Sequence, residues 1–239
     1  MKKITNNLLF LKIVLALITI LYLSYLYMDF FSRYTELSAS MKFISIVLCF
    51  LLALLSGAKP FNGYNVKLLK IGLFLTVIAD FFLLIEKEHY EIGITVFSIA
   101  QIIYTIRYNS RNRTNIIRSY VILLFTLFFT YIVIKPFTKI EIIIPIALFY
   151  GIALITNVYK AFVVYREKLY PRPNGLMVAL GMLLFLLCDI NVLLYNIFRY
   201  VKQTNGLLYR LSHVSIWLYY LPSQVLLALS GYKFKESDS

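Results

Sequence analysis

Eight apolar runs, each close to 20 residues long, follow one another at roughly 8–28, 41–57, 67–86, 91–108, 115–134, 139–160, 174–196 and 211–231. Wound into α-helix, a run of that length spans the hydrocarbon core of a bilayer. The links between runs are short, so neighbouring helices should return antiparallel and pack as one bundle. Composition agrees: 61% of the 239 residues are hydrophobic, 15% are charged and the mean hydropathy is +0.79. Soluble domains carry about 25% charged residues. The expectation is all-α, an integral membrane bundle of eight transmembrane helices forming a single domain over residues 1–239. No stretch is left over for a soluble domain or a long linker.

The first run imitates a secretory signal, with Lys2 and Lys3 before an apolar segment. It is about 20 residues long, however, and MDFFSRYTELSAS at its end offers no clear small-x-small cleavage site, so it reads as a retained first helix. Cys49 and Cys188 both fall inside expected spans, and no disulfide is expected.

The net charge of +13 raises the possibility of a nucleic-acid partner. In a membrane protein basic residues instead mark cytoplasmic loops. With both termini placed inside, the 24 basic residues divide into sixteen on the inner side and eight on the outer, Lys42 among the latter. The bias favours a cell-membrane protein with both termini cytoplasmic and no nucleic-acid partner. Basic inner loops also attract anionic membrane lipids, by about 1 kcal/mol per residue near the surface.

Two carboxylates interrupt the apolar pattern. Asp80 lies in GLFLTVIADFFLLIE and Asp189 in GMLLFLLCDINVLLYNIF, 109 residues later; Gly72 and Gly181 precede them by eight residues each. Helices three and seven run in the same direction in this topology, and each aspartate lies about two-thirds of the way along its helix. The pair should share one depth, in the outer half of the bilayer. Four helices in each half then suggest a parallel internal repeat, with halves near 1–110 and 111–239. A charge at the bilayer centre costs about 2.5–3.5 kcal/mol on insertion scales, so both carboxylates should face the bundle interior or a wet cavity. A purely structural role would leave them as packing residues hydrogen-bonded to Thr76 or Asn196.

Other polar residues can converge on them. His213, Trp217, Tyr220 and Gln224 are spaced 4, 3 and 4 apart and share one face of helix eight. Helix four offers Ser98, Gln101 and Tyr104 at intervals of three. The bland readings are an interfacial aromatic belt and interhelical hydrogen bonding. Pro222, between Tyr220 and Gln224, can open a kink and free a backbone carbonyl.

Several chemistries are disfavoured. With only two histidines, His89 and His213, a three-histidine zinc site cannot be built. No G-x-S-x-G nucleophile elbow and no Gly-rich phosphate loop occurs. No metal or other cofactor is expected, and the strongest chemical groups available to an enzyme are the two aspartates.

The run GLFLTVIADFFLL, with AQIIY in the next helix, resembles the first half of the YhhN-like lysoplasmalogenase family. LLFLLCDINVLL, followed by LYYLPSQVLLALS, resembles its second half. Ala79, Cys188 and Gln101 stand where the family pattern leads one to expect Gly, Ser and His. The resemblance implies a membrane hydrolase cleaving the vinyl ether bond of lysoplasmalogens, with a lysophospholipid as substrate. Asp80 and Asp189 would be catalytic, and Gln101, Tyr104, Tyr220 and Gln224 would line the substrate site. An enol ether is hydrolysed by protonation of its β-carbon, so one carboxyl must be neutral and the other ionised. Desolvation and mutual repulsion favour that division in a close pair. The residues alone leave a second class open, a non-catalytic proton-coupled transporter or lipid-binding membrane protein, since paired intramembrane carboxylates also build proton relays. The oligomeric state is not legible.

Overall fold

The computed structural model describes residues 2–31, 34–56, 62–109, 112–204 and 206–233, with the side chains of 2–8 left aside. Of the basic residues counted above, Arg33, Lys59, Arg111 and Lys235 lie outside the described residues, as do the side chains of Lys2 and Lys3. Eight α-helices account for nearly all of the described residues: α1 (Lys2–Phe30), α2 (Thr35–Leu55), α3 (Gly63–Asp80), α4 (Tyr90–Tyr108), α5 (Arg113–Ile134), α6 (Ile143–Arg166), α7 (Arg172–Tyr200) and α8 (Leu207–Leu229). Each coincides with one of the eight apolar runs.

Six of these helices, all but α4 and α8, are long and apolar enough by themselves to cross a membrane. The exceptions have a packing explanation. α4 packs against α3 and α6, and α8 against α7, α2, α1 and α3, so their polar side chains meet protein. Gln101, Thr105 and Arg107 on α4, and Ser223 and Gln224 on α8, are all buried. α5 is the converse. Among the described residues it packs mainly on α4 and α6, and Val121, Ile122, Phe125, Phe129 and Ile132 stand exposed along it, as an apolar face turned to lipid would.

The two halves of the chain make matching contacts. α3 packs on α4 as α7 packs on α8, and α4 reaches α6 as α8 reaches α2. The two glycines of the spaced motif serve these contacts. A Cβ on Gly72 would lie 2.6 Å from the Tyr104 ring of α4, and one on Gly181 would lie 3.1 Å from Leu227 of α8. Their missing side chains let the helices approach.

Helix ends follow local chemistry. The Asn62 side chain caps α3 by accepting from the Asn65 amide at 3.1 Å. α6 and α7 stop alike: Lys168 (φ 53°) and Lys202 (φ 57°) turn left-handed, and the next amide returns to the carbonyl five residues back, Leu169 to Val164 and Gln203 to Phe198. After Asp80 the α3 backbone widens into a π-helical turn, Phe81–Glu86, that ends as the Lys87 amide bonds Phe82 O at 3.0 Å. Pro222, inside α8, has no N–H to bond the carbonyl of Leu218, and the Tyr22 hydroxyl of α1 donates to that oxygen at 2.9 Å.

Candidate active site

Asp80 is the last α-helical residue of α3, directly before the π-helical turn, and is 3% exposed. Inserted π turns occur frequently at functional sites, because the extra residue re-aims the side chains around it. The Asp80 carboxylate accepts a hydrogen bond from the Tyr220 hydroxyl of α8 at 2.6 Å. Asp189, on α7 and half-buried, accepts a hydrogen bond from the Tyr150 hydroxyl of α6. The buried Cys188 thiol adjoins Asp189, and the two aspartates are near enough for the charge of one to act on the other.

An aromatic cluster ties the two carboxylate–tyrosine pairs together. The Phe97 ring of α4 lies 5.9 Å from Tyr150, 6.4 Å from Tyr220 and 5.9 Å from the Phe185 ring of α7. Phe185 in turn lies 5.5 Å from Tyr220. Four helices therefore converge on one apolar surround for two acidic groups, in which a carboxyl's charge is poorly solvated.

The structural alternative named Thr76 and Asn196 as the carboxylates' partners. Instead, the Thr76 hydroxyl donates to Gly72 O at 3.1 Å, and the Asn196 amide donates to Val192 O at 2.8 Å. Both bonds stay within one helix, where i−4 carbonyls are the nearest acceptors. The carboxylates take tyrosines from other helices.

Tyr220 is thus in direct contact with Asp80. Gln101, Tyr104 and Gln224 are all fully buried and lie one to two turns from Phe97 and Tyr220 along α4 and α8. Gln101 Oε1 accepts from Asn157 Nδ2 of α6 at 2.8 Å, while its Nε2 has no hydrogen-bond partner. Among the described residues both amide atoms of Gln224 also lack partners, and the Tyr104 hydroxyl, near that of Thr76, makes no hydrogen bond within 3.5 Å. Leaving such groups buried and unsatisfied costs about 1–3 kcal/mol each. These atoms can serve water or the oxygens of a bound molecule.

Sequence reasoning missed Tyr150, one of 20 tyrosines. Nothing in its own run distinguishes it, since its role depends on which helix α6 packs against. The same holds for a buried ion pair. Lys42 Nζ lies 2.7 Å from Asp29 and 5.1 Å from the Trp217 ring. Trp217 packs edge-on against Tyr220 at 5.1 Å, so this pair abuts the carboxylate cluster. Lys42 is therefore a buried, paired cation rather than a solvated loop charge.

Glu86, Glu88 and His89 bring three ligand atoms within 4.8 Å of one another at the end of the π turn. The His89 ring bonds the Glu86 carboxylate, and that partner raises the pKa of His89. The three lie at an exposed or half-exposed surface, in a setting where such groups are commonly solvated.

A sequence profile of the YhhN family matches residues 37–231. No curated protein matches the chain, and no solved structure does.

Proposed function

The chain belongs to the YhhN family, and on that premise we propose that it is a membrane hydrolase of lysoplasmalogens, with Asp80 and Asp189 as its acid and base. The observation that carries this reading is the pairing of two carboxylates, each held by a tyrosine from a different helix, inside one aromatic surround. The substrate is a lysophospholipid with a vinyl ether chain.

One carboxylic acid delivers its proton to the β-carbon of the enol ether, whose π electrons form the new C–H bond. An oxocarbenium ion results. Water adds to its carbon and gives its proton to the second, ionised carboxylate. The hemiacetal then collapses, its hydroxyl proton passing to the ether oxygen as the C–O bond breaks. Fatty aldehyde and glycerophospho-alcohol leave. One proton must return from the second carboxyl to the first, and Tyr150 and Tyr220, each already bonded to one of the pair, are placed to orient both groups for it. Gln101, Tyr104 and Gln224 offer unpartnered polar atoms for the attacking water and the glycerol oxygens. Acid–base help of this kind contributes about 10²–10⁴ in rate.

The same reading takes all eight helices as spans, places the protein in the cell membrane with both termini cytoplasmic, and treats the matching contacts of the two halves as a parallel internal repeat. The distribution of basic residues supports the orientation. α4 and α8 cross as the interior helices of the bundle, their polar groups shielded by the helices around them.

The test is aldehyde release from a lysoplasmalogen by detergent-purified protein. An enzyme needs no sealed compartment, whereas a proton-coupled transporter does. Activity in detergent supports the hydrolase; none on any vinyl ether lysolipid removes it.

A further inference from the structure

At the opposite end of α3 from Asp80, the start of α3, the end of α4 and the turn between α6 and α7 enclose a cavity of about 480 Å³. Its walls include Asn65, Arg107, Tyr108, Asn109, Glu167 and Tyr170. Arg107 is 2% exposed. Its Nε donates to Asn65 Oδ1 at 2.9 Å and its Nη2 to Ser230 Oγ at 2.8 Å, both neutral acceptors. Among the described residues neither Nη1 nor the buried Tyr108 hydroxyl has a hydrogen-bond partner within 3.5 Å, and the guanidinium and that hydroxyl are near enough to interact with each other. Among the described residues no carboxylate forms an ion pair with Arg107.

An arginine cannot relieve burial by losing its proton. A buried charge is ordinarily met by an opposite charge and by full hydrogen bonding. The Tyr108 and Tyr170 rings, 5.6 and 5.9 Å from the guanidinium carbon, offer π-electron density but no counter-ion. A second guanidinium, that of exposed Arg113, donates at 2.9 Å to the hydroxyl of Tyr64, a residue of the cavity wall. The one carboxylate of the lining, Glu167, has a side chain 51% exposed and pairs at 3.8 Å with Arg166.

We propose that this cavity binds a phosphate group, held by Arg107 Nη1 and the Tyr108 hydroxyl. A guanidinium suits the tetrahedral oxygens of phosphate because it presents several donors in a fixed fork. The site is separate from the aspartates. Asn65 and Asp80 are fifteen residues apart on α3, or about 22 Å at 1.5 Å per residue. The phosphate of a lysolipid lies only a few bonds from its ether carbon, so one molecule cannot fill both places. The proposal therefore stands whether or not the chain is a hydrolase. Through Arg107 the bound group would join α3 at Asn65 to Ser230 at the end of α8. Asn174 of α7 also donates to Ser230 O, at 2.8 Å.

A ligand that binds only the folded protein raises its melting temperature. The measurement is the Tm of the detergent-purified full chain in two arms. One compares inorganic phosphate with chloride at equal ionic strength. The other compares dioctanoyl phosphatidic acid with dioctanoylglycerol. A rise in the first arm identifies free phosphate as sufficient; a rise in the second alone identifies a lipid headgroup. Either supports the site, and no rise in either arm overturns it. Arg107→Lys keeps the charge but loses the fork, and should weaken the effective probe at least about tenfold. Affinity equal to wild type in that variant overturns the proposal. Should Arg107→Lys fail to fold, Glu167→Gln at the half-exposed rim takes its place. Binding about threefold tighter, from the loss of one repelling charge, supports the site; unchanged or weaker binding overturns it.

Discussion

Tyr220 donates its hydroxyl to Asp80 at 2.6 Å, a bond between residues 140 positions apart that joins α8 to α3. Tyr150 makes the corresponding bond to Asp189 from α6 to α7. If these bonds orient the carboxyls for proton transfer, Tyr220→Phe and Tyr150→Phe should each lower kcat at least about tenfold while KM changes little, as loss of an interaction used in the transition state does. Steady-state kinetics on purified protein check this. A rise in KM with kcat intact would make the tyrosines substrate-binding groups instead.

Asp80→Asn and Asp189→Asn should each reduce aldehyde release by at least about 10²-fold, because an amide cannot deliver or accept the proton. The double variant should be little worse than either single one, since the pair acts as a unit. Both proteins should fold, as a neutral isostere removes a desolvation cost. Full activity in either variant would end the two-carboxylate mechanism.

Gly72→Ala should destabilise the protein by about 1–3 kcal/mol, the range for overpacking a well-filled core. Its Cβ would lie 2.6 Å from the fully buried Tyr104 ring. Gly181→Ala meets Leu227 at 3.1 Å and should cost less. Gly151→Ala in α6 meets nothing within 4 Å and should leave the Tm unchanged or higher. Thermal unfolding in detergent ranks the three, and equal shifts would remove the close-approach role of Gly72.

Activity should survive EDTA and the His89→Ala change. The cluster of Glu86, Glu88 and His89 is the one group of possible metal ligands among the described residues, and the proposed acid–base steps do not pass through it. Loss of aldehyde release on chelation, with recovery on adding zinc, would make a metal part of the chemistry.

Reporter fusions at Ser239 and in the 201–204 turn should fall on opposite sides of the membrane. That outcome follows if α8 crosses it despite its polar face. Both reporters on one side would leave α8 as a helix packed among the others without spanning.

Helix number and approximate place were legible because lipid-length apolar runs are a local property, while the ends run several residues past the expected limits, as at Lys2 of α1 and Thr35 of α2. Each observed helix lies on its expected run, but the pattern did not anticipate the widened turn after Asp80 or the left-handed ends at Lys168 and Lys202. Asp80, Asp189 and Tyr220 stood out because a polar group in an apolar run is conspicuous against its neighbours. The carbonyl freed by Pro222 was legible too, since proline's missing N–H is a property of one residue.

The residues along the chain suffice for a helical, membrane-like chain, its eight apolar runs, its family pattern and its two intramembrane acids. The tertiary structure alone decided which side chains meet those acids. Thr76 and Asn196, near in sequence, turn to carbonyls of their own helices, while Tyr220 and Tyr150 arrive from α8 and α6. It alone paired Lys42 with Asp29 and left Arg107 buried with no counter-ion among the described residues. Periodicity fixes which face of a helix is polar, but the partner across that face depends on how helices far apart in the chain are arranged around one another, and no single run of residues encodes that arrangement.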